Sequence, residues 1–279
     1  MKVTILGTGW WSVERAGPAH LISIDDSHIL FDCGKNATMQ LIKAGVSLPD
    51  ISHVFITHQH FDHNVDFIHF VFASWIMGRS KPLILYGPDG TSKLVENLFG
   101  PEGFYAGDIK SRSQIPGLPM EGIGIRVNEV TEPGNVCSTD EWQVRTTLTK
   151  HTEFFDTWAY RFDSKQGSVV MAADSGPTEN VVNLAKDADL LVHECTGTEE
   201  FVRTLKLTGH SSSRDVGQTA SAAGVRMVAL VHFGEVERRN LGKWWTRIDE
   251  EKLVEMVDEV KENFDGEVIL GEDLKTVNI

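Results

Sequence analysis

Residues 54–66 read VFITHQHFDHNVD, and the junction inside that stretch decides what the chain is. VFIT has the apolar, β-branched composition of a buried strand. Positions 58–63 then place three histidines and an aspartate in the pattern HxHxDH. Where a strand runs into a tight loop, His58 and His60 project to one side because alternate residues share a face, and the turn swings Asp62 and His63 toward the same point. Imidazole and carboxylate are the groups that bind zinc and similar divalent ions. Four such ligands from one loop exceed what a single catalytic ion with an open position needs. Two metal ions are therefore expected, and their remaining ligands must come from distant positions. His and Asp residues at the ends of strand-like runs supply them: His151 after WQVRTTLTK, Asp174 after SVVMAA and His232 after MVALV.

The rest of the chain bounds what this constellation can do. At 279 residues, with 41% hydrophobic and 24% charged residues, it can bury a sizeable core without staples. Cys33, Cys137 and Cys195 are scattered with no CxxC pair, so neither a disulfide framework nor a cysteine zinc site is indicated. A reducing cytoplasm suits them, and the N-terminus MKVTILGTG lacks the regions of a secretory signal. The longest apolar stretch, 67–77, is far shorter than the roughly 20 residues that cross a bilayer. Because it is apolar almost all round, it predicts a helix buried on several sides, in the core or in a homodimer contact. Twenty-six basic against forty acidic residues give a net charge of −14. A field of that sign repels polyanions unless a basic patch overrides it.

Strand-like runs recur throughout, with helical patterns near 36–44, 67–77, 91–98, 178–186, 212–223 and 249–264. Strands are closely spaced early on and alternate with helices later. The expected fold class is α/β, a sandwich of two mixed sheets with helices on the outer faces. No linker or repeat divides the chain, so one domain over 1–279 is expected. Residues 100–124 hold six glycines and three prolines, which predicts an irregular excursion read as a lid over the site.

The order HxHxDH, lone His, Asp, final His resembles the metallo-β-lactamase superfamily, whose αββα sandwich this composition also suits. LGTG at 6–9 and LFDCG at 30–34 look like its opening strands and turns. The resemblance implies one ion held by His58, His60 and His151, a second by Asp62, His63 and His232, and Asp174 bridging both. Zinc is expected, with manganese or iron as alternatives. HECT at 193–196 and GHSS at 209–212 point to the ribonuclease Z and arylsulfatase-like branch. That likeness makes His210 a candidate proton donor to the leaving group, with Glu194 orienting it; the other reading of His210 is a turn residue ahead of a helix capped by Ser211 or Ser212. His193 reads as structural, and His20, His28, His53 and His69 receive no role.

The chemistry expected of paired ions is hydrolysis by a metal-bridging hydroxide, with Asp62 placed to accept its proton. Only 22 residues lie between His151 and Asp174, which leaves no room for the long arm with which ribonuclease Z grips tRNA. With that arm missing and the net charge negative, tRNA 3′ processing ranks below hydrolysis of a small aryl sulfate or phosphodiester. A lactone or carboxylic ester is the alternative, and a non-catalytic binding protein ranks lower because every ligand position is filled. Trp10, Trp11 and Trp158, near the metal-bearing loops, are candidate walls of an aromatic pocket, and Trp244 and Trp245 lie not far beyond His232. A small molecule, with neither nucleic acid nor membrane, is the expected partner.

Overall fold

The central strands of this chain are buried on both faces, the pattern of a sheet with a layer packed on each side. In LLVHE (β11, Leu190–Glu194) all five residues are buried. Leu190 and Val192 join one apolar cluster and Leu191 another, as the two-residue side-chain period requires. The computed structural model describes residues 1–279 apart from 11, 13 and 235–249.

The described strands form two seven-stranded sheets. The first contains β1 (Lys2–Gly7), β2 (Ala19–Ile24), β3 (Ser27–Phe31), β4 (Ile51–Phe55), β5 (Leu83–Gly87), β6 (Ile125–Glu129) and β14 (Lys275–Asn278), in the order β14-β1-β2-β3-β4-β5-β6. The second contains β7 (Gly134–Ser138), β8 (Trp142–Leu148), β9 (Trp158–Ser164), β10 (Gly167–Met171), β11, β12 (Met227–Val231) and β13 (Glu267–Leu270), in the order β13-β12-β11-β10-β9-β8-β7. Both are mixed. β14, β1, β2 and β3 pair antiparallel and β3 to β6 parallel; β7 to β10 pair antiparallel and β10 to β13 parallel.

One apolar cluster, with Ile5, Ile22, Phe31, Phe55, Phe162 and Val192, fills the space between the sheets. A second packs α5 (Glu179–Ala185), α7 (Ser213–Ala223) and α8 (Glu250–Lys261) on the outside of the second sheet, and a third packs α1 (Ala37–Lys43) and α2 (Phe67–Ile76) on the outside of the first. This is the αββα sandwich expected from the order of elements. The acidic face of α8 points outward, while Leu253, Met256 and Val260 are buried.

Between Gly100 and Gly124, where glycines and prolines predict irregular chain, the structure has α4 (Ala106–Arg112) and a 3-10 turn (Met120–Ile123). This excursion is anchored to α2. The Phe72 and Tyr105 rings meet at 5.3 Å, and Trp75 Nε1 donates to the Pro119 carbonyl at 2.7 Å. No described helix is long and apolar enough to cross a membrane.

The inter-sheet layer carries much of the packing energy. Phe55 is fully buried, stacked at 5.0 Å on Phe31 and 4.8 Å on Tyr86. Phe55→Ala should cost about 3–5 kcal/mol in a urea melt, whereas Val254→Ala, at a position 60% exposed on α8, should change stability by less than about 0.5 kcal/mol.

Candidate metal centre

The parallel strands of both sheets end along one edge of the sandwich, and the loops leaving them carry the candidate residues. β3 delivers Asp32, β4 the stretch Thr57–His63, β10 Asp174, β11 Glu194 and β12 His232, while His151 follows the antiparallel β8. Asp32, Ala173 and His232 have φ of 57°, 57° and 60°. Left-handed backbone at non-glycine residues is uncommon and collects at functional sites.

Asp174 lies at the centre. Its Oδ2 is 3.9 Å from His58 Nε2 and 3.7 Å from His151 Nε2, and its Oδ1 is 3.5 Å from His63 Nε2 and 3.4 Å from His232 Nε2. His60 Nδ1 is 3.0 Å from both His58 Nε2 and His151 Nε2. Asp62 Oδ2 is 3.7 Å from His63 Nε2 and 3.5 Å from His232 Nε2. All seven residues named from the sequence are thus brought together, as two groups that meet at one carboxylate.

The donor atoms suit divalent metal ions. Ligand atoms around a tetrahedral ion at metal–nitrogen distances of 2.0–2.1 Å stand about 3.3 Å apart, close to these separations. Asp62 Oδ2, His63 Nε2 and His232 Nε2 are also buried with no hydrogen-bond partner. Such orphaned atoms are costly, and a cation at their meeting point would satisfy all three.

The outer nitrogens are fixed by neighbours. His63 Nδ1 lies 2.8 Å from Asp32 Oδ2, His151 Nδ1 donates to the Gly209 carbonyl at 2.9 Å, and His58 Nδ1 is 2.9 Å from Thr57 Oγ1. Each contact leaves the other nitrogen facing the cluster. Asp32 also accepts from the Thr57 amide and hydroxyl. Asp32 and Thr57 received no role from sequence, although the DCG turn containing Asp32 was in plain view. Two close approaches complete the loops. A Cβ on Gly34 would stand 2.3 Å from the Asp62 carbonyl oxygen, and one on Gly209 2.0 Å from that of His151, so both positions require glycine. His20, also without a role from sequence, lines a small void with Asp32, His63 and His232, and burial pushes its pKa down to about 3.

The protonation pattern follows from the same geometry. Burial drives His58 well below its usual value and so keeps it neutral. Burial opposes charge on His63 as well, but Asp174 and Asp32 outweigh it and raise this group well above the ordinary range. His232 is raised, against burial, mainly by Asp174 and Asp62. Burial favours the neutral acid at Asp174, yet His232 and His63 hold it well below the usual carboxylate range.

His210 adjoins the cluster, its ring 4.8 Å from His151 and 6.1 Å from His232. Its Nδ1 is 3.2 Å from Glu194 Oε1. Burial lowers its pKa, but the Glu194 carboxylate more than reverses this, to about 9. Glu194 also accepts from the Ser211 amide at 2.9 Å and from the Thr196 hydroxyl at 2.7 Å. Ser212 caps α7, in a capping box with Asp215, as the turn reading of His210 expects; the contact with Glu194 and the nearness to His151 and His232 come in addition to that turn.

The tryptophans divide. Trp10 packs 5.6 Å from His210 and 5.9 Å from His232, on a loop that Asp273 ties down through Thr8 and Ala16. Trp158 is fully buried in the inter-sheet core, with its amide donating to the Thr57 carbonyl. It supports the metal-bearing loop from beneath and is no open pocket wall, because its alternation along β9 turns it inward. Trp11, Trp244 and Trp245 lie outside the described residues.

A family model described as a beta-lactamase superfamily domain matches residues 27–233. A protein named ribonuclease Z from Mycolicibacterium gilvum is 28% identical over 100% of this chain and 96% of its own length. Another from a Mycobacterium species is 30% identical over 84% of both chains. The crystal structure of the short form of human tRNase Z superposes with a TM-score of 0.73 at 20% identity, covering 100% of this chain and 99% of that one. The chain belongs to the metallo-β-lactamase superfamily, a class of metal-dependent hydrolases, and within it to the ribonuclease Z branch.

These relatives correct two expectations. Hydrolysis of a small ester and the exclusion of nucleic acid both rested on a missing arm and a net charge of −14. The alignment with the M. gilvum protein runs over 292 residues, only about a dozen more than this chain has, so that protein carries no large insertion relative to it. Net charge is a sum over the molecule and does not limit the local potential at a cleft. The sequence itself concentrates four basic residues at 238–247, RRNLGKWWTR, a stretch outside the described residues.

Binding of a cation requires His63 and His232, raised in the ion-free protein, to give up protons. Apparent metal affinity should therefore rise with pH and fall on acidification, and calorimetry in buffers of different ionisation enthalpy should count protons released. Asp32→Ala should weaken metal binding about 10–100-fold, measured by competition with a chromophoric chelator.

Proposed function

We propose that this chain is a ribonuclease acting on tRNA, cutting a phosphodiester in 3′ processing of the precursor with two zinc ions. The observation that carries the proposal is similarity along the whole chain to proteins named ribonuclease Z. In this reading His58, His60 and His151 hold one ion, Asp62, His63 and His232 the other, and Asp174 lies between them. When bound, such ions lower the pKa of water and neutralise charge on phosphate oxygens. They are also the largest local charges in the site, which offsets the acidic surface around it.

The residues of the chain itself orient and move protons. Asp62 is placed to accept the proton of the attacking water. His210, kept protonated by Glu194, donates to the departing oxygen. Glu194 has a second task, because its bonds to the Ser175 and Ser211 amides tie the loop after Asp174 to the turn that presents His210. Trp10 closes the apolar side of the imidazole, which limits the water that competes for its proton.

Metal-loaded protein should cleave a 3′-extended precursor tRNA. A preparation that turns over bis-p-nitrophenyl phosphate but leaves the precursor intact would refute the proposal. His210→Ala should lower kcat by about 10²–10⁴-fold. A general acid works below its pKa and is lost above it, so Glu194→Gln, which removes the charge that raises His210, should move the alkaline limb of the pH–rate profile to lower pH.

A further inference from the structure

Beside His210 the surface opens into a cavity of about 400 Å³ lined by Lys150, Pro177, Lys206, Leu207 and Thr208. Arg203 shares this wall but is committed, pairing with Glu199 at 2.9 Å and Asp215 at 3.5 Å. Lys150 and Lys206 differ. Both are exposed, and among the described residues neither ammonium has an ion pair or hydrogen bond. Two uncommitted cations around one concavity are notable on a chain with a net charge of −14. Their backbones are tied to the cluster. The Gly176 amide donates to the Lys150 carbonyl at 2.7 Å, the His210 amide donates to the Leu207 carbonyl at 3.1 Å, and Gly209 presses on His151.

Next to His60 and His58 stands an aromatic side chain, Phe155. The Phe155 ring lies 4.9 Å from that of His60, and its neighbour Phe154 is 84% exposed. Rings then continue from His60 to His151 at 4.8 Å and from His151 to His210 at 4.8 Å. A strip thus runs from the half-buried Phe155, next in sequence to the exposed Phe154, across the candidate metal ligands, to a lysine-lined cavity.

From this juxtaposition we infer that the strip is a track for single-stranded RNA: Lys150 and Lys206 hold a backbone phosphate flanking the bond under attack, and Phe154 stacks a base at the other end. Cations that follow the backbone, combined with aromatic platforms for bases, are how proteins hold single strands with little sequence preference. The inference rests on the ribonuclease reading for the identity of the bond cut. It assigns the path by which the strand crosses the ligands, which that reading leaves open.

The test is equilibrium binding of a short fluorescein-labelled oligoribonucleotide to zinc-loaded protein over a range of salt concentrations. Each lysine replaced, as Lys150→Gln or Lys206→Asn, should reduce the slope of log K against log[salt] by about 0.7, the value for one single-strand phosphate contact. Lys206→Arg should keep the slope, and Lys81→Gln, at an exposed lysine remote from the cavity, should leave it unchanged. Phe154→Ala should weaken binding several-fold with the slope intact, because stacking releases no counterion. Slopes and affinities unaltered in both lysine variants, with their melting transitions unaltered, would overturn the track. Should the lysine-dependent slope appear while precursor tRNA stays uncut, the track stands and the tRNA reading falls; cleavage with no lysine dependence gives the reverse.

Discussion

Everything at this site depends on one buried carboxylate facing four imidazoles. A charged Asp174 at 2% exposure is prohibitive by itself and tolerable only if positive charge surrounds it. In the ion-free protein Asp174 pushes His63 and His232 toward their charged forms, and divalent ions would supply positive charge more effectively. The same carboxylate offers one oxygen to each group of histidines, so its position dictates how far apart the two groups stand. That position depends in turn on the end of β10, where Ala173 takes a left-handed backbone to turn Asp174 into the cluster.

Around this centre the sandwich works as a frame with a division of labour. Strands buried on both faces give the rigidity that a constellation held to fractions of an ångström demands. The loops then fix individual atoms. Asp32 holds the outer nitrogen of His63, Gly209 that of His151, and Glu194 binds two loops while charging His210. The positioning residues come from both sheets, so the site is complete only when the two sheets pack on each other. Loss of inter-sheet packing at Phe55 or Phe162 would therefore reach the chemistry through the loops above it.

Electrostatics decides function here locally. The chain is strongly acidic, yet the groups that would meet a substrate are histidines, bound cations and two uncommitted lysines. The net charge of −14 averages over α8, whose acidic residues face outward from the second sheet. A sum of charges reports on solubility and long-range steering; the potential inside a cleft is governed by the few groups that line it.

Much of the site was legible in one dimension. HxHxDH announces itself because the ligands are adjacent in sequence, and His151, Asp174 and His232 are visible because each ends an apolar run, where a strand must deliver its next residue to the sheet edge. The order of strands and helices likewise determined the αββα class, since period-two and period-3.6 patterns report burial directly. Other features belong to the tertiary structure alone. Nothing local indicates that Trp158 turns inward, that 100–124 packs on α2, that Asp32 reaches His63 or that Asp273 anchors the loop carrying Trp10. Nor does sequence reveal that Lys150 and Lys206, 56 positions apart, face one cavity. Periodicity encodes which side of an element is buried, but which residues meet across elements depends on how those elements pack, and that is decided only when the two sheets close on each other.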